Sequence, residues 1–165
     1  MTTYADFLLR KRRVYTGHGI AAAGLPEALY PWQAAIVRWA LRKGRAAIFA
    51  DCGVGKTFMQ VAWADALNVP TLILAPLCVA EQTVAEAARL GIAVHYAQDH
   101  RQGAGHRIVI TNYERHEKFN PSDFSAVVLD ESSILKAFNG KSRTARIEAF
   151  QHVPYRLGCT APPSP

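Results

Sequence analysis

The sequence predicts an α/β fold in which a mostly parallel sheet carries helices on both faces. Short apolar segments alternate along the chain with longer segments of helical periodicity, and this alternation is typical of parallel sheets with right-handed crossovers. Segments such as Thr71–Ala75 are almost continuously apolar, as strands are when both of their faces are buried. A glycine-rich turn joins the first strand to the helix after it. We therefore expect a layered domain with its own core.

The individual elements can be assigned in chain order. The predicted helices are Tyr4–Arg13, Trp32–Lys43, Lys56 to about Leu67, Val79–Leu90 and Arg143–Phe150. The predicted strands are Ala46–Ala50, Thr71–Ala75, Ile92–Tyr96, Arg107–Thr111, Ala126–Asp130 and Tyr155–Cys159. In the second helix, the apolar spacing directs Ile36, Trp39 and Ala40 inward. Arg38 and Arg42 lie one turn apart on the same helix.

Size and composition fit one globular domain. The chain has 165 residues, of which 50% are hydrophobic and 19% are charged. We expect residues 1–29 to form a helical extension and residues 30–165 to form the domain. No apolar run approaches the length of a membrane span. The three cysteines, Cys52, Cys78 and Cys159, form no paired motif and indicate the reduced thiols of a cytosolic protein.

Positive charge is concentrated near the start of the chain. The formal net charge is +6, and the surplus lies within residues 1–45, because the later charges cancel. A basic region of this kind suits a polyanionic partner such as nucleic acid. A solvated surface that only aids solubility accounts for the charge equally well. A second basic stretch, formed by Lys136, Lys141, Arg143 and Arg146, has the same two interpretations.

The segment Ala50–Thr57 has the pattern of a phosphate-binding loop, because it follows a predicted strand and opens a helix. Gly53 and Gly55 permit a tight turn that aims backbone N–H groups at phosphates, and the helix N-terminus adds the positive end of its dipole. Lys56 would contact the β- and γ-phosphates, and the Thr57 hydroxyl would bind Mg²⁺. The candidate nucleotide-binding residues of the loop are Cys52, Gly53, Val54, Gly55, Lys56 and Thr57.

An acidic pair, Asp130 and Glu131, ends the apolar strand that begins at Ala126, in the layout of a Walker B element. Asp130 would hold Mg²⁺ directly or through water, and Glu131 would orient and deprotonate an attacking water. Such a pair alone is more often a solvated loop or a helix cap. In one sheet with a phosphate loop, it indicates an NTPase. A nucleotide kinase would also need a lid and an acceptor site, for which the sequence has no signal.

With these two sites assigned, the chain resembles helicase superfamily 2, and within it the Swi/Snf-like helicases of phages and bacteria. The resemblance covers about residues 30 to 161. Besides the phosphate loop, it rests on Tyr30-Pro31-Trp32-Gln33, Leu74-Ala75-Pro76, Ile110-Thr111-Asn112-Tyr113-Glu114 and Asp130-Glu131-Ser132-Ser133, in the family's order. It implies a RecA-like P-loop NTPase domain that uses ATP and Mg²⁺, with nucleic acid, most naturally DNA, as its partner.

The resemblance also implies roles for single residues. Lys56 and Glu131 would be catalytic, and Gln33 would read the edge of the adenine. Contacts to the nucleic-acid backbone would come from Pro76 and from Thr111, Asn112 and Tyr113.

One motif departs from the family. Where the family has Thr-Ala-Thr, this chain has Thr160-Ala161-Pro162 and so lacks a hydroxyl and a backbone N–H. We also expect the family's second RecA-like domain, with its arginine finger, to be absent. We expect the first motor domain of a helicase or translocase, in the cytoplasm of a bacterium or a phage-infected host. It would have little activity without a second domain or partner chain. The alternative is a truncated remnant that binds nucleotide or DNA without turnover.

Histidine and tryptophan residues suggest two further hypotheses. The spacing of His95, His100 and His106 fits neither a helical histidine pair nor a zinc finger, so a metal centre is not indicated. Tryptophans could stack on bases, but the helical spacing of Trp39 and Trp63 is more typical of core residues.

Overall fold

A computed structural model describes residues 17–22, 24–51, 53–131 and 149–161. The predicted helix Tyr4–Arg13 and most of the predicted helix Arg143–Phe150 lie outside the described residues, as do Cys52 and Pro162. In the described part of the chain, no helix is long and apolar enough to cross a membrane.

The centre of the fold is a six-stranded sheet in which every neighbouring pair is parallel. Its strands are β1 (Arg45–Phe49), β2 (Thr71–Ala75), β3 (His95–Tyr96), β4 (Ile108–Asn112), β5 (Ala126–Leu129) and β6 (Tyr155–Thr160). Their order across the sheet is β1-β6-β5-β2-β4-β3. The predicted α/β class with a parallel sheet is confirmed.

Helices connect most of these strands. The α-helices are α1 (Pro31–Lys43), α2 (Lys56–Leu67), α3 (Leu77–Arg89) and the single turn α4 (His100–Gly103). Two 3₁₀ helices, Tyr113–Lys118 and Pro121–Asp123, follow β4. The sequence did not predict α4 or the 3₁₀ helices, because each is too short to show a period.

The larger part of the core lies between one face of the sheet and helices α1 to α3. Alternate residues of the central strands, such as Ile73, Ile110 and Val128, point into this layer and are fully buried. The α2 side chain of Trp63 is buried completely among them, as its helical spacing predicted. Burial of a large apolar side chain stabilises a fold by about 1.5–3 kcal/mol, so this layer fixes α2 against the sheet.

The opposite face of the sheet has a smaller core. Leu72, Val109 and Val127 point into it and pack with Phe119 from the segment after β4 and Phe150 from the segment before β6. These positions alternate with those of the first layer, as required of strands that are buried on both faces.

The inward prediction for Trp39 is wrong. The buried residues of α1 are Gln33, Ala34, Val37, Ala40 and Leu41, which recur at the three- and four-residue spacing of one helix face. Trp39 lies outside that arc and is 41% exposed. The predicted burial of Ala40 is confirmed, and Ile36 is only partly buried at the margin of the core.

Strand β3 is shorter than predicted, because residues 92–94 do not pair with the sheet and Ile92 bonds back to the end of α3. The Ile92 N–H donates to the Ala87 carbonyl, 3.0 Å away, which closes the helix instead of joining the sheet. Ile92 and Val94 are nevertheless buried. Their apolar side chains therefore gave a strand-like signal although their backbone lies outside the sheet.

The parallel arrangement gathers five chain segments at one edge of the sheet. The phosphate loop follows β1, Pro76 follows β2, Asn112 ends β4, Asp130 follows β5 and Thr160 ends β6. In open parallel sheets, ligands bind at this carboxyl edge.

Candidate nucleotide-binding site

The loop between β1 and α2 takes the backbone conformation that its glycines allow. Gly53 and Gly55 have φ angles of +82° and +76°, in the left-handed region that residues with a Cβ rarely adopt. A Cβ on Gly55 would also collide with the side-chain amide of Gln33. Both glycines are therefore required by this loop, and Gly55 caps the helix that begins at Lys56.

Lys56 lies at the first position of α2, with its ammonium group folded over the loop. Its Nζ donates to the carbonyl oxygens of Ala50, at 2.9 Å, and Asp51, at 3.1 Å. The same Nζ lies 3.7 Å from Oε1 of Glu131. The Lys56 side chain is only 10% exposed, so its charge is directed into the site and interacts strongly with groups there.

Glu131 brings its carboxylate to this lysine through an unusual backbone conformation. Its φ of +46° lies in the left-handed region, which is uncommon for a residue other than glycine. Strain of this kind persists only where the surrounding structure fixes it, and it is concentrated at functional sites. The turn ends β5 at Leu129 rather than at Asp130 and directs Glu131 across the sheet edge toward the phosphate loop.

Asp130 is 4% exposed and is held by groups from three segments. Its Oδ1 accepts hydrogen bonds from Gln60 Nε2, at 2.5 Å, and from the Glu131 N–H, at 3.0 Å. The Tyr113 hydroxyl donates to its backbone carbonyl at 2.6 Å. Burial raises the pKa of the Asp130 carboxyl above its ordinary value, and the hydrogen bond from Gln60 opposes that shift.

Gln60 reveals a connection that sequence motifs did not. It is a fully buried residue of α2, and its amide joins the helix of the phosphate loop to the acidic end of β5. Its Oε1 has no hydrogen-bond partner among the described residues. The sequence signal that could have identified Gln60 is its position between the apolar residues Met59 and Val61. A polar side chain buried at such a position requires a hydrogen-bond partner.

Thr57 lies on the same side of α2 as this connection. Residues three apart are neighbours on a helix surface, so Thr57 is one turn before Gln60 on the side that faces Asp130. A hydroxyl and a carboxylate are the oxygen ligands that Mg²⁺ prefers. The residues present therefore fit a magnesium ion held between α2 and the end of β5.

The end of β6 lies between the phosphate loop and the acidic pair. Thr160 pairs with Phe49 in the sheet register, and its carbonyl accepts from the Ala50 N–H at 3.1 Å. Its buried hydroxyl has no partner in the described part of the chain. The Thr160 hydroxyl is thus a second buried polar group at this edge, in addition to Gln60 Oε1, that lacks a hydrogen-bond partner among the described residues.

Gln33 supports the phosphate loop from α1. Its Oε1 accepts from the Tyr30 N–H at 3.0 Å, and its Nε2 donates to the Val54 carbonyl at 3.1 Å. An amide has two donors and two lone pairs, so one of each remains for another partner. Gln33 is only 2% exposed, whereas the neighbouring ring of Tyr30 is 67% exposed. The loop contact is a role for Gln33 that the sequence did not reveal.

The four residues expected to contact nucleic acid are placed differently from one another. Pro76 is partly exposed at the start of α3. Thr111, Asn112 and Tyr113 are buried, with at most 5% exposed. The Asn112 side chain caps the following 3₁₀ helix by accepting from the Arg115 N–H, and the Tyr113 hydroxyl is committed to Asp130. All three residues stay predicted nucleic-acid contacts. In this structure Asn112 and Tyr113 hold neighbouring segments, whereas the buried Thr111 hydroxyl has no partner among the described residues.

Cys159, in the strand beside Asp130, offers no reactive thiol. Burial raises its pKa well above the ordinary value for cysteine, and the nearby Asp130 carboxylate acts in the same direction. A thiol of this kind stays protonated and serves as a small apolar group.

A cavity of about 480 Å³ opens at the other end of the sheet. It is lined by residues that include Pro70 and Arg107, which precede β2 and β4, together with Phe119 and Phe124. It therefore lies at the amino ends of the strands, away from the phosphate loop. The carboxyl edge is the better candidate for nucleotide binding because the loop, the lysine and the acidic pair meet there.

Many solved structures resemble this one, including the following three. The SWI2/SNF2 ATPase core of Sulfolobus solfataricus in complex with double-stranded DNA matches with a TM-score of 0.72 and 19% identity, over 87% of this chain and 34% of that chain. The UvsW helicase of bacteriophage T4 matches with a TM-score of 0.65 and 16% identity, over 96% of this chain and 60% of that chain. A hypothetical ATP-dependent RNA helicase from Sulfolobus tokodaii matches with a TM-score of 0.54 and 18% identity, over 72% of this chain and 41% of that chain.

These likenesses establish a RecA-like α/β fold, which this chain shares with the matched part of each of these structures. The sequence matches no protein-family model and no curated protein. This chain spans between 34% and 60% of the length of the three similar chains.

Proposed function

We propose that this domain binds ATP with Mg²⁺ at the carboxyl edge of its sheet and hydrolyses it as one half of a nucleic-acid-dependent motor. The observation that carries the proposal is the double link between α2 and the end of β5. Lys56 and Gln60 of α2 contact Glu131 and Asp130, respectively, across 70 residues of sequence or more. This link joins a phosphate-binding element to the acids that hydrolysis requires.

The phosphate loop would hold the triphosphate. The loop N–H groups around Gly53 and Gly55, together with the free N–H groups of the first turn of α2, form a cradle for phosphate oxygens. Lys56 would exchange its bonds to the Ala50 and Asp51 carbonyls for bonds to the β- and γ-phosphates. That exchange is favourable because phosphate oxygens carry negative charge and attract the ammonium more strongly than neutral carbonyl oxygens do.

Thr57 and Asp130 would hold the magnesium ion. When bound, the metal neutralises charge on the β- and γ-phosphate oxygens. Gln60 would keep the Asp130 carboxylate in position and in its charged form, since its hydrogen bond favours ionisation against the effect of burial.

Glu131 would orient and deprotonate the attacking water. Its carboxylate is 34% exposed, in contrast to the buried Asp130, so it can reach a water in front of the γ-phosphate. Its ion pair with Lys56 is released when the lysine turns to the phosphates. Loading of the nucleotide would therefore free the base.

The base of the nucleotide would lie at the start of α1. Tyr30 offers an exposed ring there, and Gln33 retains one amide donor and one acceptor for the adenine edge. Because Gln33 also holds the Val54 carbonyl, it would link recognition of the base to the shape of the phosphate loop.

The partner would be nucleic acid, most naturally DNA. A second protein surface, opposite the phosphate loop and the acidic pair, would complete the nucleotide site. One similar ATPase core was solved with double-stranded DNA, and the similar chains are longer than this one. Pro76, at the carboxyl end of β2, is one candidate for a backbone contact. We propose that residues 30–161 act with a second RecA-like domain or a partner chain, which would supply a cation such as an arginine finger.

Single-turnover phosphate release tests the hydrolysis step. We expect release by the purified chain that Glu131→Gln abolishes, at a rate well below roughly 1 per second. The low rate is expected because an arginine finger, which a second domain or partner chain would supply, increases kcat by roughly 10³–10⁵-fold in related enzymes. ATP binding without any release above the Glu131→Gln blank would contradict hydrolysis and leave a nucleotide-binding module.

A further inference from the structure

Helix α1 presents two tryptophans to solvent. Trp32 is 45% exposed and Trp39 is 41% exposed, although large aromatic rings are usually more deeply buried. They are seven residues apart, which places them on the same side of the helix, about 10 Å from each other along its axis. Exposed Ala35 lies between them. The pair therefore forms an aromatic stripe with a small residue at its centre.

A basic stripe runs beside the aromatic one. Arg38 and Arg42 are exposed and lie one turn apart, on the flank of α1 next to Trp39. The helix contains no acidic residue between Pro31 and Lys43. Two flat apolar rings and two fixed positive charges thus share one face of a single rigid helix.

We propose that this face of α1 binds single-stranded nucleic acid. The indole rings would stack on bases, and the guanidinium groups would neutralise the phosphates of the same strand. This combination of an aromatic platform with a basic track is how proteins hold single strands without reading their sequence. The inference rests on the proposed function for its class of partner, and it adds a contact surface outside the strand-end motifs.

Charge favours this occupant over a second copy of the chain. In a symmetric dimer through α1, Arg38 and Arg42 of one copy would face the same basic surface of the other, and like charges across an interface are unfavourable. A polyanion removes that repulsion. Trp32 also directly precedes Gln33, which contacts the phosphate loop, so a strand on α1 would lie near the edge of the nucleotide site.

Binding of a fluorescent thymidine oligonucleotide to the full chain tests the aromatic stripe. We expect the double variant Trp32→Ala with Trp39→Ala to bind roughly 10-fold more weakly or worse, because base stacking is lost. Trp32→Phe with Trp39→Phe should recover most of the affinity. An abasic strand of equal length should bind wild type more weakly and should no longer distinguish wild type from the alanine variant. Equal affinity of wild type and the alanine variant for the thymidine strand would overturn the proposal.

The salt dependence of binding tests the basic stripe. Removing two phosphate contacts with Arg38→Ala and Arg42→Ala should reduce the slope of log affinity against log salt by about 1.4. Arg101→Ala, an exposed arginine of α4 at the amino end of β4, is the matched control and should leave the slope unchanged. Equal slopes for wild type and the double arginine variant would contradict the assignment.

Two further measurements, ATP-analogue binding and sedimentation, test what binds to this face of α1. They distinguish a nucleic-acid strand from a second copy of the chain, and binding at α1 from binding at the nucleotide site alone. Normal binding of an ATP analogue by the tryptophan variants, with weakened DNA binding, supports the α1 surface independently of the nucleotide site. If wild type sediments as a dimer and the tryptophan variants as monomers, the face belongs to a second copy and the proposal fails. If wild type binds the ATP analogue but no oligonucleotide, the proposal fails while the nucleotide site stands.

Discussion

At the scale of single residues, the site depends on a few polar groups enclosed by apolar neighbours. Asp130 is the clearest example, because its carboxylate is nearly inaccessible and is kept in place by Gln60 and by the N–H of Glu131. Buried polar groups of this kind are stable only when their hydrogen bonds are made. The removal of one partner should therefore change the behaviour of the carboxylate as well as the stability of the fold.

Gln60→Leu should weaken magnesium-dependent nucleotide binding. Without its donor, Asp130 loses the interaction that most favours its charged form, so the Mg²⁺ concentration needed for half-maximal binding of an ATP analogue should rise roughly tenfold. Gln82→Leu is the matched control, since Gln82 donates to Glu86 on the exposed side of α3, away from the site. An unchanged Mg²⁺ requirement in Gln60→Leu would show that Gln60 does not position Asp130.

Asp130→Asn should stabilise the protein at neutral pH in the absence of Mg²⁺ and nucleotide. The pKa of Asp130 is raised in the folded state, so folding favours its protonated form and the ionised carboxylate lowers stability above that pKa. The neutral amide keeps an acceptor for Gln60 and removes the buried charge.

Thermal melts across pH check this sign. The stability advantage of Asp130→Asn should be largest at neutral pH and should shrink as pH falls toward the ordinary aspartate value of 3.8. A variant that is less stable than wild type by the same amount at every pH would contradict the raised pKa.

Local structure was predictable where it depends on local sequence. The turn at Gly53 and Gly55 and the helix start at Lys56 were predicted because the loop pattern specifies its own backbone conformation. Gln60 was not predicted, because its partner is 70 residues away and its position between Met59 and Val61 does not identify that partner. Tyr113 was predicted as a nucleic-acid contact, but its hydroxyl is turned inward to the Asp130 carbonyl.

At the scale of elements, the end of β4 is tied to the end of β5 although β2 lies between them in the sheet. The tie is the hydrogen bond from the Tyr113 hydroxyl to the Asp130 carbonyl. Long elements with a clear period, such as α2 and β2, were predicted with the bounds that the structure has. Strand β3 and the 3₁₀ helices were missed or misplaced, because a few buried residues look alike in a strand, a turn or a short helix.

Tyr113→Phe tests the tie between these two strand ends. Loss of the buried hydrogen bond should lower the free energy of unfolding by about 1 kcal/mol, measured as a lower urea midpoint. Tyr155→Phe, at a partly buried tyrosine of β6, is the control. Equal urea midpoints for wild type and Tyr113→Phe would mean that the hydroxyl adds no net stability.

At the scale of the whole molecule, the parallel sheet brings motifs that are distant in sequence to one edge. The strand order places β6 between β1 and β5, so the phosphate loop and the acidic pair flank the end of β6. The alternation of strands and helices predicted this layout, since all parallel strands end at the same edge. The exposed face of α1 was not predicted, because exposure of Trp39 depends on which arc of the helix meets the core.

Titration of a fluorescent ATP analogue, with Mg²⁺, into wild type and Lys56→Ala tests most directly whether the carboxyl edge binds nucleotide. Lys118→Ala, an exposed lysine in the 3₁₀ helix after β4, serves as the matched control. Loss of a charge-assisted contact is worth about 1.5–3 kcal/mol, so Lys56→Ala should bind at least roughly 10-fold more weakly, with Lys118→Ala equal to wild type. Equal affinities for wild type and Lys56→Ala would remove Lys56 from the site and contradict the account.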